Sequence, residues 1–106
     1  MSASSSAAAC LLENNCQNLV SATNLLKALA NEKRLQILCL LAEEELSVTQ
    51  INQQLSLSQS ALSQHLAILR RDELVNTRRE SQTIYYSLRS DSAKAILDTL
   101  AQHYTT

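Results

Sequence analysis

Apolar residues recur every three or four positions over most of this chain, a spacing typical of amphipathic helices. We expect a first helix from about Ala8 to Ala30 and a second from Glu32 to Glu43. A short third helix should end near Leu55, because Ser47 and Gln50 have the spacing of a capping box, in which two side chains satisfy the free amides of a helix start.

The fourth predicted helix carries the most information about function. It runs from about Gln59 to Asp72, and Ser58 can cap its start. Its apolar stripe consists of Leu62, Leu66 and Leu69. Short polar or small side chains cover the opposite face, with one cation at its end: Ser60, Ser63, Gln64, Ala67 and Arg71, flanked by Gln59 and Arg70. One face is therefore suited to a core and the other to an outside contact.

After Asp72 the pattern changes to one typical of strands. Residues 74–79 and 83–88 are rich in β-branched and aromatic side chains, which predicts a β-hairpin. The segment between them lacks glycine, so we expect a looser loop than a two-residue turn. A last helix, capped by Ser90 or Asp91, should follow, with one apolar face made of Ala93, Ile96, Leu97, Leu100 and Tyr104.

This order of elements predicts a winged helix-turn-helix (ααααββα), a mainly α protein with a small β-hairpin wing. Its 106 residues allow one domain, which we place at residues 11–106 after an N-terminal arm, residues 1–10, that we expect to be disordered. Because glycine is absent, the chain lacks the loops that cradle phosphates, which argues against nucleotide-dependent enzymes. The start has no signal-peptide pattern and no stretch is apolar enough to span a membrane, so we expect a cytoplasmic protein without membrane contacts.

Charge is distributed unevenly, although the net charge is only −1. Residues 58–89 carry five arginines against three acids, whereas residues 1–57 carry three cations against five acids. Positive charge therefore collects around the fourth helix and the hairpin, as contact with double-stranded DNA requires. A solvated charged surface is the plain alternative.

The predicted layout assigns roles to individual side chains. Amides and hydroxyls near the start of the fourth helix are suited to base edges in the major groove: Gln59, Ser60, Ser63 and Gln64. Arg70 and Arg71 are suited to phosphates, as are Arg78, Arg79 and Gln82 around the hairpin tip. We expect His65 to orient the fourth helix through a hydrogen bond.

The apolar faces of the first and last helices exceed what one small domain can cover. We expect them to form a homodimer interface, which would present two recognition helices to a two-fold symmetric operator. The alternative is that they pack against each other within one subunit.

Four segments together resemble a known family, the ArsR/SmtB repressors, and among them the BigR/HlyU branch, which resembles thiol-based sensors. They are LKALANEKRLQILC (26–39), LSLSQSALSQHL (55–66), LRRD (69–72) and LVNTRRESQTIYYSL (74–88). The resemblance covers about residues 25–104. It implies a homodimeric repressor, without enzymatic activity or cofactor, whose first and last helices form the interface and whose fourth helix enters the major groove.

The chain departs from the family at both of its metal sites. The site in the third helix needs a Cys-x-Cys type of motif, but Ser47 stands where a thiolate is expected. The site on the last helix needs Asp and His ligands at set spacings, which Asp91, Asp98 and His103 do not reproduce. We therefore expect no metal at either place.

The three cysteines, Cys10, Cys16 and Cys39, leave several alternatives open. In the thiol-sensing branch a cysteine in the second helix, matched by Cys39, pairs with one near the end of the last helix, where this chain has Thr105. Cys39 could instead respond to reactive sulfur or oxidants together with Cys16 or Cys10, or all three could hold a soft ion such as arsenite. In the other direction, Cys16 and Cys39 could be buried and inert.

Three further hypotheses remain at this stage. The chain could be a constitutive DNA-binding regulator with no inducer site. It could be a small thiol enzyme or redox carrier, although it has no Cys-x-x-Cys motif. It could also be a protein-interaction module that uses its terminal helices without DNA.

Overall fold

The structure, a computed structural model, describes residues 8–12 and 17–105. A short 3-10 helix, Ala8–Leu11, precedes five α-helices and three strands. In chain order these are α1 (Gln17–Leu29), α2 (Glu32–Glu43), β1 (Leu46–Ser47), α3 (Val48–Leu55), α4 (Gln59–Arg71), β2 (Val75–Glu80), β3 (Thr83–Leu88) and α5 (Asp91–Tyr104). The predicted winged helix-turn-helix is confirmed.

Short polar side chains define the helix starts. The capping box is present, with the Gln50 amide donating to Ser47 Oγ and the Ser47 amide to Gln50 Oε1. Ser58 accepts from the Ala61 amide at 3.1 Å and Ser90 from the Ala93 amide at 3.0 Å. Because such caps act within one turn of sequence, they place the boundaries within about a residue of those predicted.

The first helix differs from its prediction. The chain forms a 3-10 turn at Ala8–Leu11, and the α-helix begins only at Gln17, so one continuous helix from Ala8 is wrong. Residues 1–7 and 13–16, with Cys16 among them, lie outside the described residues. The disordered arm at residues 1–10 stays a prediction for its first seven positions, while residues 8–10 belong to the 3-10 helix.

A third strand, β1, was not predicted. It pairs antiparallel with β3, Leu46 opposite Tyr86 and Ser47 opposite Tyr85, and makes a sheet of order β1-β3-β2. Two residues are too few to show the alternation by which strands are recognised in a sequence. Because Ser47 also caps α3, the wing is joined directly to the helix-turn-helix.

The hairpin turn is tighter than predicted. Glu80 pairs with Thr83, so only Ser81 and Gln82 form the turn, and the expected looser loop is wrong. Ser81 adopts a φ of 58°, in the left-handed region that glycine normally supplies. Ser56 and Glu73 adopt similar values at the ends of α3 and α4. Within residues 8–12 and 17–105, this glycine-free chain therefore uses ordinary residues in three left-handed positions.

One core holds the fold together. Its largest fully buried side chains come from α2, α3 and α4: Ile37, Leu38, Ile51, Leu62 and Leu69. The wing contributes Val75 and Tyr86, and α5 contributes Ala93 and Leu97. The stripe of leucines on α4 therefore faces inward, as predicted, which leaves its polar face outside.

The terminal segments keep apolar side chains exposed. They are Leu11, Leu12, Leu19, Val20, Leu26, Leu100 and Tyr104, of which Tyr104 is 82% exposed. The Cα radius of gyration is 16.2 Å, against about 13 Å for a compact domain of this length. Among the described residues, nothing within the subunit covers this surface, so packing of the terminal helices inside one subunit does not account for it.

Candidate nucleic-acid interface

Helix α4 presents an open polar face. Leu62, Leu66 and Leu69 are buried, and this fixes the rotation of the helix about its axis. The side chains predicted to contact DNA from this helix are exposed, except for half-buried His65: Gln59, Ser60, Ser63, Gln64, Arg70 and Arg71. No other part of the described chain covers them. Their hydroxyls and amides are free to bond to an outside partner.

The turn between α3 and α4 is braced by a side chain that the sequence analysis missed. The Asn52 side chain donates from Nδ2 to the Leu57 carbonyl and accepts from the Leu57 amide at Oδ1, both at 2.8 Å. Ser56, in the left-handed conformation, reverses the chain at this point. The available signal was an asparagine in the last turn of α3, within reach of the polar connector, because its amide group can both donate and accept.

His65 connects α4 to the junction between α1 and α2. Its Nδ1 lies 3.4 Å from Arg34 Nη1. Arg34 also donates from Nε to the Ala28 carbonyl at 2.6 Å and from Nη2 to the Lys27 carbonyl at 3.3 Å. Burial, and then the charge of Arg34, lower the pKa of His65 below its usual value. A neutral His65 that accepts from Arg34 therefore links the recognition helix to the end of α1.

The two arginines at the end of α4 differ in their surroundings. Arg71 pairs with Asp72, with 3.2 Å between Nε and Oδ1. Arg70 is exposed and has no ion-pair partner among residues 8–12 and 17–105. Both lie at the end of the polar face far from Gln59 and Ser60. This is the end at which the sequence predicts contact with a DNA phosphate.

On the wing, the two neighbouring arginines lie on opposite faces of the sheet. Arg78 pairs in register with Tyr85 and Arg79 with Ile84. Since side chains alternate along a strand, Arg79 shares a face with Val75, which packs on the core beside α4, and Arg78 lies on the outer face. Gln82 is exposed in the turn itself.

Arg78 is held by two acids and a ring. Its Nη2 lies 2.7 Å from Glu45 Oε1, its Nε lies 3.1 Å from Glu45 Oε2, and its Nη1 lies 3.1 Å from Glu80 Oε2. The guanidinium carbon lies 4.6 Å from the centre of the Tyr85 ring. The hydrogen bonds from Arg78 lower the pKa of Glu45, and those to Glu45 and Glu80 raise the pKa of Arg78. Arg79, by contrast, has no ion pair with any described residue.

The thiol of Cys39 is exposed on α2, beside a groove formed with Leu35, Leu40 and Leu55. The expectation that Cys39 is buried is therefore wrong for the single subunit, whereas its reactivity stays a prediction. Cys39 follows Ile37 and Leu38 in an apolar run, which is typical of a core position. Each residue of an α-helix is rotated by about 100° from the one before, however, and this rotation places Cys39 on the exposed side of α2. The Cys10 side chain and all of Cys16 lie outside the described residues, so their distances from Cys39 stay untested.

Two kinds of feature are absent from the described residues, a metal-binding cluster and a membrane-spanning helix. Residues 8–12 and 17–105 contain no group of three or more His, Cys, Asp or Glu side chains placed to hold a metal ion. In the same ranges, no helix has both the length and the apolar character needed to cross a bilayer.

The fold and the open polar face of α4 define a class, the winged helix-turn-helix DNA-binding transcriptional regulators. A sequence profile described as "Bacterial regulatory protein, arsR family" matches residues 31–77. The chain is also 58% identical over 88 residues to the "Transcriptional activator HlyU" of Vibrio cholerae, which covers 83% of this chain and 82% of that protein. It belongs to the arsR family of bacterial regulatory proteins, a family of transcriptional regulators and not of enzymes.

Solved structures show the same relationship. HlyU from V. cholerae matches with a TM-score of 0.80 at 57% identity, covering 85% of this chain and 98% of that one. A structure described as reduced HlyU from the same organism matches with a TM-score of 0.79 at 57% identity, covering 85% of this chain and 95% of that one. The "transcriptional repressor BigR" of Xylella fastidiosa matches with a TM-score of 0.79 at 34% identity, covering 85% of this chain and 92% of that one. The predicted resemblance to the BigR/HlyU branch is thus confirmed.

Proposed function

We propose that the chain acts as a homodimeric repressor that binds a two-fold symmetric operator with α4 in the major groove. The observation that carries this proposal is the exposed polar face of α4 opposite its buried leucines. Because these hydroxyl and amide side chains are small, the face can approach base edges closely. The buried leucines fix the rotation of α4, and so the direction in which this face points. The uncovered apolar surface of the terminal helices supports the dimer.

The side chains divide into two groups by chemistry. Gln59, Ser60, Ser63 and Gln64 recognise bases, since an amide can pair bidentately with adenine and hydroxyls bond to several bases. The cations and the wing turn contact phosphates, which fixes the register without selecting sequence: Arg70, Arg71, Arg79 and Gln82. His65 orients α4 through Arg34.

The central test replaces Gln64 by alanine after the operator has been selected from random DNA. Loss of one bidentate contact should cost about 1–3 kcal/mol at one operator position and relax base preference there. Gln102→Ala, an exposed glutamine on α5, is the matched control and should bind like wild type. Equal losses on operator and on random DNA for Gln64→Ala would contradict the assignment to base recognition.

A second proposal concerns the inducer and depends on the exposure of Cys39. The Cys39 thiolate would attack a sulfane sulfur of a polysulfide, which leaves a persulfide on Cys39 and releases the shorter polysulfide anion. With peroxide, it would give a sulfenic acid and release hydroxide. Added bulk and charge beside Leu35 and Leu55 would shift α2 against α3 and lower operator affinity.

This proposal is tested by operator binding before and after polysulfide or peroxide treatment, read beside the mass of the protein. Treated wild type should lose affinity, and Cys39→Ser should not. A modified Cys39 with unchanged affinity would instead favour the constitutive regulator. Loss of affinity on adding arsenite, abolished in Cys10→Ser and Cys16→Ser, would favour the soft-ion site.

A further inference from the structure

The contacts of Arg78 bridge all three strands of the sheet. Its side chain starts on β2, lies over the Tyr85 ring on β3, and ends at the carboxylate of Glu45, next to β1. Glu45 and Arg78 are 33 positions apart in sequence, so this contact joins two distant parts of the chain. All three nitrogen atoms of its guanidinium donate to Glu45 or Glu80, over 3.1, 3.1 and 2.7 Å.

The position of Glu45 lets this contact hold the wing against the helix-turn-helix. Glu45 lies between the end of α2 and Ser47, which caps α3. The backbone pairing of β1 with β3 already holds one strand of the wing. The outer strand β2, which carries Arg79, has no backbone bond to β1, and the Arg78–Glu45 contact supplies a direct side-chain tie between them.

We propose that Arg78 and Glu45 form a strut that sets the wing against the helix-turn-helix, so that Arg78 is a positioning residue and Arg79 makes the phosphate contact. This inference rests on the proposed DNA binding and changes the role expected for Arg78 from the sequence. Alternation along β2 places Arg79, and not Arg78, on the face of the sheet that packs beside α4. The charge of Arg78 is moreover compensated within the protein by Glu45 and Glu80.

The test measures operator affinity over a series of salt concentrations for single variants. A plot of log affinity against log salt has a negative slope. Arg79→Ala should make this slope shallower by about 0.9 per wing, or about 1.8 per dimer, because a phosphate contact is lost. Arg78→Ala and Glu45→Gln should each weaken binding about two- to fivefold per wing, the range of a single exposed ion pair, without changing the slope. Glu44→Gln, the neighbouring exposed glutamate, controls for the loss of a negative charge.

The sign of the Glu45 effect separates the two roles of Arg78. If Arg78 itself touched a phosphate, Glu45→Gln would free it and affinity would rise or stay level, and Arg78→Ala would lower the salt slope as Arg79→Ala does. Either result overturns the strut. The double variant Glu45→Arg, Arg78→Glu gives a further check, since it should recover affinity lost in Arg78→Ala only if residue 78 acts through residue 45.

Hydrogen exchange of the DNA-free protein keeps this inference separate from the proposed function. Amides of β2 should exchange faster in Glu45→Gln than in wild type or Glu44→Gln, because the outer strand has lost its tie. If wild type failed to bind any DNA sequence, the proposed function would fail while this exchange result could still stand. Unchanged exchange in Glu45→Gln would reject the strut whatever the DNA result.

Discussion

Among single residues, some polar side chains have hydrogen-bond partners that the sequence alone predicts, and others do not. Ser47 and Gln50 act on backbone groups three positions away, so their spacing was sufficient to predict the capping box. Arg78 and Glu45 meet only because β1 pairs with β3, and β1 was too short to be predicted. Local partners with a known capping spacing are therefore visible in a sequence, whereas partners brought together by the sheet are not.

His65 provides a prediction about pH. Its pKa is lowered in the folded chain by burial and by Arg34, so folding favours the neutral form. The resulting stability should be fully present above about pH 6.5, the ordinary value, and decline as the pH falls through the lowered pKa. His65→Gln should flatten this decline in urea denaturation measured between pH 5 and pH 8.

The other histidine of the chain supplies the control. His103 is exposed near the end of α5, and His103→Gln should retain the decline seen in wild type. A wild-type stability that does not change over this pH range would contradict the lowered pKa of His65.

At the scale of elements, the hairpin shows where composition misled the prediction. The absence of glycine suggested a loose loop, but the strand register of β2 and β3 brings Glu80 opposite Thr83 and leaves two turn residues. Cross-strand pairing along six positions outweighs the unfavourable conformation of Ser81. Helices α2 to α5 were predicted more accurately because each has an N-cap side chain and an apolar stripe of its own.

The turn therefore offers a stabilising substitution. Ser81→Gly removes the conflict between a Cβ atom and a positive φ and should raise the free energy of unfolding by about 0.5–1 kcal/mol. Gln82→Gly is the matched control, because φ at Gln82 is not positive and the added chain entropy should lower stability by about 0.5–1 kcal/mol. Urea denaturation at one fixed protein concentration measures both; a destabilised Ser81→Gly protein would argue against the two-residue turn.

At the scale of the whole molecule, the exposed apolar residues of α1 and α5 point to assembly. They lie outside the core, so substituting one of them should disturb the packing within the subunit less than substituting a core residue. This property makes the dimer testable without unfolding the protein. The apolar faces of α1 and α5 served two predictions from the sequence. They predicted the helices themselves and the surface that we propose joins the two subunits.

A charge placed on this surface should separate the subunits. Val20→Glu would bury an unpaired carboxylate in the interface, and the dimer dissociation constant in sedimentation should rise by at least about a hundredfold. Helical content and monomer stability should remain, since Val20 is 54% exposed in the subunit. Asn18→Glu, two positions earlier on the opposite side of α1, should stay dimeric. A dimeric Val20→Glu protein would exclude α1 from the interface.

The contact of Arg34 with both the end of α1 and His65 of α4 has a consequence for operator architecture. If α1 joins the subunits, this arginine connects the dimer interface to α4, the helix that we propose enters the major groove. The distance between the two copies of α4 in the dimer would then be fixed by the protein, and so would the spacing of the operator half-sites. An operator lengthened at its centre by one base pair, which adds about 3.4 Å of rise and about 35° of twist, should be bound through one half only.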